Sequence, residues 1–176
     1  RSLFLNDQPP RTIRHVWRED DQLCERHQEM AGRSLLLETF TYDLRGRLGR
    51  YTCNGERLPS DRYGNEISSQ LFLFDALDNI KRCVTAFASG KQDVAIFTYA
   101  DEDPCQLRNV RHSLTEAGYP GSQDFSYDAD GNLLNDELGQ HLRYDNLGRL
   151  LEVTSADGQR SMGGYRYDGH QHLLAS

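Results

Sequence analysis

Apolar and polar residues alternate in short runs along most of the chain, and the runs break at recurring, near-identical corners. Leu142-Arg143-Tyr144-Asp145-Asn146-Leu147-Gly148-Arg149-Leu150 shows the pattern at full strength. Apolar residues two apart occupy one face of an incoming strand, because strand side chains alternate with a period of two. The aspartate after the aromatic accepts turn N–H groups as an Asx-turn does, and the Gly, Asn or Asp that follows tolerates positive φ. A leucine then opens the return strand. Such a unit is a β-hairpin tip.

The tip repeats. Phe40-Thr41-Tyr42-Asp43 runs on to Gly46 and Leu48, Phe125-Ser126-Tyr127-Asp128 to Gly131 and Leu133, and Tyr165-Arg166-Tyr167-Asp168 to Leu173. With Tyr144, Asp145, Gly148 and Leu150 these make four strong copies. Weaker copies are Phe74-Asp75 with Ile80, Tyr99 followed by Ala100-Asp101 and then Gln106-Leu107, and Trp17 followed by Gln22-Leu23. Where Tyr99 lacks the following aspartate, Asp101 is the expected substitute. Taking the aromatic as position 0, apolar residues fall at −2, 0 and +6, with a further residue, often apolar, at +9 (Tyr51, Cys83, Val153). Positions +6 and +9 differ in parity, so a β-bulge or a local twist between them is expected if both face inward.

These corners predict strands over 12–17, 22–28, 34–42, 47–53, 67–74, 80–88, 93–99 and 106–112. Turns fall at Met30-Ala31-Gly32-Arg33, at Asn54-Gly55 and at Ser89-Gly90. Two longer loops cover 58–66 and 113–122, the second holding Gly118-Tyr119-Pro120-Gly121. Residues 1–11, with Asn6-Asp7-Gln8-Pro9-Pro10, form an irregular lead-in where proline denies a ladder its donor. Residues 12–176 are expected to be one repeat region. Residues 20–30 come nearest to a helical period and compete with the hairpin reading. The fold class expected is all-β, with antiparallel hairpins forming a curved sheet.

Composition narrows the picture. Only 37% of the 176 residues are of the hydrophobic class and the mean hydropathy is −0.74, which suits a thin sheet with one wet face. The net charge is −7 with scattered Lys and Arg, which disfavours a nucleic-acid partner. No apolar run has the length of a membrane span. Cys24, Cys53, Cys83 and Cys105 contain no C-x-x-C pair and are expected to be reduced, mostly packed thiols. The chain begins at Arg1 without Met and ends at Ser176 just after a repeat, as a piece of a longer protein would.

The run Tyr-Asp-x-x-Gly-Arg-Leu, repeated at these spacings from about Arg14 to Leu173, resembles the YD repeat of RHS-repeat proteins, which include bacterial polymorphic toxins, Tc toxin C subunits and teneurins. The resemblance implies an arc of a spiralling β-shell that, in the bacterial toxins, encloses a C-terminal toxic domain. It implies as partners the flanking repeats and an enclosed toxin domain of the same parent chain, with an immunity, chaperone or delivery protein beyond them. It implies a bacterial product made in the cytoplasm and secreted within a larger toxin or effector. The self-cleaving aspartyl motif that follows the repeats in bacterial members has no match here, so neither a protease nor a toxin is assigned.

Other chemistry finds less support. Cys24-Glu25-Arg26-His27 has half the spacing of a zinc site but lacks a second ligand pair. His170 and His172 share a strand face, which a solvent-facing tip explains without metal. Asp128-Ala129-Asp130-Gly131-Asn132 has glycine fourth rather than sixth and so misses the EF-hand pattern. The acidic pairs Glu102-Asp103 and Asp136-Glu137 read as solvated turns. No G-x-S-x-G elbow, P-loop or H-E-x-x-H is present. The expectation is a non-enzymatic structural module without cofactor or metal. Its alternative is a module binding carbohydrate or a cell-surface protein through loops 58–66 and 113–122.

Overall fold

The alternation read from the sequence becomes antiparallel strands throughout the computed structural model, which describes residues 10–116 and 119–175. No helix occurs among the described residues, and residues 20–30 resolve as turn and strand. Residues 1–9 of the expected lead-in and Gly118 of the second loop lie outside the described residues. The chain divides into two compact units, Arg1–Phe97 with Arg111–Gly121, and Thr98–Val110 with Ser122–Ser176.

The first unit holds β1 (Arg11–Trp17), β2 (Leu23–Met30), β3 (Arg33–Tyr42), β4 (Leu48–Gly55), β5 (Ile67–Phe74), β6 (Ile80–Phe87) and most of β7 (Gln92–Tyr99). Each strand pairs with the next in chain order. The parity change between +6 and +9 is resolved by a bulge at the corner. Thr41 pairs with Arg50 but Tyr42 pairs with Leu48, leaving Gly49 as the extra residue. The same shift separates Leu73 from Phe74 and Val16 from Trp17. One sheet face is thereby buried on both sides of the bulge, and Leu36, Tyr51 and Cys53 form its centre with Phe40, Leu48, Leu58, Ile67 and Phe72 packed against them.

Asn54-Gly55 does not turn the chain as its sequence suggests. Both residues lie in β4, paired with Leu37 and Leu36. The glycine is needed for close approach instead, since a Cβ at Gly55 would stand 2.3 Å from the Leu35 carbonyl oxygen.

The second unit holds the start of β8 (Leu107–His112), β9 (Ser122–Asp124), β10 (His141–Tyr144), β11 (Leu150–Thr154), β12 (Ser161–Gly164), β13 (Arg166–Tyr167) and β14 (Leu173–Ala175). Asn109 Nδ2 donates to Ser122 Oγ and Asp124 Oδ1, both at 2.7 Å, and joins β8 to β9. β10, β11 and β12 form a three-stranded sheet, and β13 pairs with β14. The corner bulge recurs at Arg143/Tyr144 and at Arg166/Tyr167. Strands here are shorter, and the Tyr127 copy is reduced to an isolated bridge from Tyr127 to Leu133.

Candidate functional site: the aspartate corners and the loop strap

Most of these corners are closed by one carboxylate. Asp43 Oδ1 accepts the N–H groups of Arg45 at 2.8 Å and Arg47 at 3.0 Å, while its own N–H donates to the Arg47 carbonyl at 2.9 Å. Its other oxygen receives Arg47 Nε at 2.7 Å. Asp75, Asp128 and Asp145 repeat the arrangement. Asn79 Nδ2, Asn132 Nδ2 and Arg149 Nε donate to their Oδ2 atoms at 2.9, 2.9 and 2.7 Å. The residue at +5 thus clamps the aspartate at +1. These side-chain bonds are the main reason that the Asp43, Asp75, Asp128 and Asp145 carboxyls are held below the usual carboxylate range.

The left-handed residue stands at +4. Gly46, Gly131 and Gly148 fill it with φ of 77°, 83° and 71°, and Asp78 fills it at 68°. In the last copy Gly169 does not take this place. Gln171 carries the positive φ, at 68°, and Asp168 Oδ1 accepts from His170 and His172.

Two complete corners lack the aromatic and the leucine that betray the others. Asp61 accepts from Tyr63 and Asn65 N–H, both at 2.8 Å, inside the stretch expected to be loop 58–66. Asp136 accepts from Leu138 and Gln140, so one member of the acidic pair Asp136-Glu137 is a corner aspartate. Position 0 is Ser60 in the first and Asn135 in the second. The D-x-x-G spacing alone was the signal. At Tyr99 the corner is closed by Asp103 rather than Asp101. Asp103 Oδ1 accepts Cys105 N–H, and Ala100 N–H donates to the Gln106 carbonyl, two residues later than usual.

Consecutive corners also hold one another. Tyr42 donates to the Leu23 carbonyl at 2.9 Å and Tyr167 to the Leu150 carbonyl at 3.0 Å, in each case the +6 carbonyl of an earlier corner. The clamping arginine stacks forward. Arg47 lies over the Phe74 ring at 4.6 Å and Arg149 over the Tyr167 ring at 4.9 Å. Arg47 Nη1 further donates to Asp78 Oδ1 at 2.6 Å, and Arg45 pairs with the same carboxylate at 3.0 Å.

In the first unit, loops 58–66 and 113–122 meet. Tyr119 donates to Asp61 Oδ2 at 2.6 Å, its ring packs 4.5 Å from Tyr63, and His112 stands edge-on to it at 4.9 Å. Burial and the Asp61 carboxylate push the Tyr119 hydroxyl up. Burial raises Asp61, but the Tyr119 hydroxyl, the Asn65 amide and the turn N–H groups outweigh it and hold this carboxyl down. Buried Asp93 lies 2.7 Å from His112 Nδ1 and accepts Leu114 N–H at 2.9 Å. Lys91 pairs with Glu116. The second loop is therefore a strap fastened across the sheet.

A polar group absent from the sequence reading sits in the core face. Glu38, 2% exposed, lies in phase with Leu36, Phe40 and Tyr42 on β3. Arg26 Nε and Nη2 donate to its two oxygens at 2.5 and 2.6 Å, Tyr51 donates at 2.9 Å and Gln28 at 3.3 Å. Burial raises its pKa, but these donors outweigh it and hold the carboxyl below its ordinary value. Arg26, Glu38 and Tyr51 border an open cavity of about 330 Å³ with Phe40, Pro59 and Gln70. No group of His, Cys, Asp and Glu with metal-holding geometry occurs among the described residues.

Residues 127–160 match the RHS repeat family. No curated protein matches the sequence. Among solved structures, a crystal structure of TcdB2-TccC3-Cdc42 matches 93% of the chain at 14% identity with a TM-score of 0.64. A crystal structure of TcdB2-TccC3 matches equally, and a Photorhabdus luminescens Tc holotoxin pore with a mutant TccC3 matches 93% at 15% identity with a TM-score of 0.61. The chain spans about a tenth of the length of each of these chains. Residues 127–160 are similar to the RHS repeat, the same corner chemistry recurs in both units, and the chain shares the strand arrangement of the Tc toxin structures.

Proposed function

We propose that the chain is a wall segment of an RHS-repeat shell that encloses and shields a C-terminal toxin domain of the same parent chain. One observation carries the reading: 93% of the chain follows the fold of proteins ten times longer, all of them Tc toxin assemblies, one a holotoxin pore. The architecture suits containment. Hydrogen bonding is spent on closing corners and joining neighbours, so stability sums over adjacent repeats. A toxin context places the parent protein outside the producing cell after synthesis in a bacterial cytoplasm. Flanking repeats and the enclosed domain are its partners, and a delivery or immunity protein follows from the same context.

The alternative, recognition of a glycan or surface protein by loops 58–66 and 113–122, is weakened because Tyr119 and Asp61 bond each other. The test is limited proteolysis of the longer parent chain with and without this segment, following the C-terminal region by mass. Protection lost on deletion supports containment. Equal digestion in both overturns it.

A further inference from the structure

We infer that the outer edge of β1 is a docking surface for an arginine-bearing YD corner, whose guanidinium stacks on Trp17 and pairs with Asp21. Trp17 occupies position 0 of its corner, with the same bulge at Val16/Trp17 that precedes Tyr42 and Phe74. The other position-0 aromatics named above are all half-buried. Trp17 is 59% exposed, and β1 pairs on one side only, with β2, among the described residues.

The structure already shows what covers such a position. Arg47, at +5 of one corner, lies over Phe74, at position 0 of a later one, and donates to Asp78 at +4 of that same corner. Arg149 treats Tyr167 likewise. The corner of Trp17 repeats the receiving half. Its +4 residue is Asp21, exposed and left-handed at φ 60° as Asp78 is at 68°. Among the corners named above, only those of Phe74 and Trp17 combine an aromatic at 0 with a left-handed aspartate at +4. Indole is also the strongest cation–π acceptor of the aromatic side chains. The occupant is thus a strand added antiparallel to β1 that directly follows an Asp-x-x-Gly-Arg corner, as β4 follows Arg47.

The inference rests on the proposed reading of the chain as part of a longer repeat array. Trp17 is the single tryptophan, so its fluorescence reports this edge alone. A tandem variant carries a second copy of residues 33–66 directly ahead of Pro10, which brings a β3-corner-β4 unit to β1. Trp17 emission is expected to shift to the blue and acrylamide quenching to fall relative to the 176-residue chain. Arg47→Ser in the duplicated copy, or Asp21→Asn, is expected to reverse both changes. Protection that survives both substitutions overturns the arginine rule and leaves the array reading standing. No protection in the folded tandem overturns the docking surface itself. A backbone-cyclised peptide of residues 33–55 added to the 176-residue chain gives the same comparison where the tandem does not unfold cooperatively.

Discussion

The guanidinium of Arg47 lies 4.6 Å from the centre of the Phe74 ring while its Nε grips Asp43. One side chain therefore closes its own corner and holds a later one. Arg47→Leu and Phe74→Leu are expected to be coupled by about 0.5–1 kcal/mol, the range for exposed cation–π pairs. Urea unfolding of both single variants and the double gives the cycle. Strictly additive losses would show that the two corners ignore each other.

The glycines of β4 and of the corners differ in what a methyl group would meet. Gly55 faces the Leu35 backbone, and Gly148 has Asn132 Oδ1 at 3.1 Å from a built Cβ, whereas Gly131 has open space. Alanine is expected to cost most at 55, less at 148 and about 1 kcal/mol at 131, where only the left-handed backbone resists. Gln171→Gly, at φ 68°, is expected to stabilise by about 0.5–1 kcal/mol by relieving the same backbone. Thermal melts of the four variants rank them. A neutral Gly55→Ala would contradict the close approach of β4 to Leu35.

The strands and corner bulges were legible because the aromatic and the apolar residue six positions on keep their spacing at the corners of Trp17, Tyr42, Phe74, Tyr127, Tyr144 and Tyr167. The Asp61 and Asp136 corners were not, since Ser60 and Asn135 place no aromatic in the core face. Asn54-Gly55 misled because glycine serves both a turn and a close backbone approach. Tyr119 meeting Asp61 is a contact between loops 58 residues apart, which no local pattern encodes. Glu38 was visible as a charge among in-phase apolar residues, yet its partners on β2 and β4 depend on strand register.

Acid should loosen the corners. The Asp43, Asp75, Asp128 and Asp145 carboxyls are all held below their ordinary range, chiefly by the side chain at +5. A depressed folded-state pKa contributes stability that is present above the unfolded value of about 4 and is lost as pH falls through the folded one. The melting temperature is expected to decline below about pH 4. The decline should be shallower in Asp43→Asn and Asp145→Asn chains. Identical slopes in parent and variants would remove these carboxylates from the account.

The four thiols should separate by exposure. Cys105 is exposed on its corner, Cys24 is half-buried, and Cys53 and Cys83 are buried, with burial pushing both of the latter thiols up. Iodoacetamide at neutral pH is expected to label Cys105 first and to reach Cys53 and Cys83 only on unfolding. Peptide mass mapping over time reads the order. Early labelling at Cys83 would contradict a closed β6 face.

The Glu38 network carries the sharpest stability prediction, because a buried carboxylate holds four donors. Glu38→Gln keeps the shape but leaves the Arg26 guanidinium without its countercharge. Arg26 is 39% exposed, so water reaches it and the cost falls below that of a fully buried broken pair. The expected loss is about 2 kcal/mol. Tyr51→Phe removes one donor and should cost about 1 kcal/mol. Arg26→Leu with Glu38→Leu replaces both partners by apolar groups that suit a face already lined by Phe40, Leu48 and Ile67. That double variant should lose less than either single truncation, since no charge is left behind. Guanidinium unfolding at constant pH of the parent, these variants and the Arg26→Leu and Glu38→Leu singles supplies the midpoints. A double variant that loses the sum of the singles would mean that the pair stabilises the sheet outright, rather than satisfying a charge that β3 has to bury.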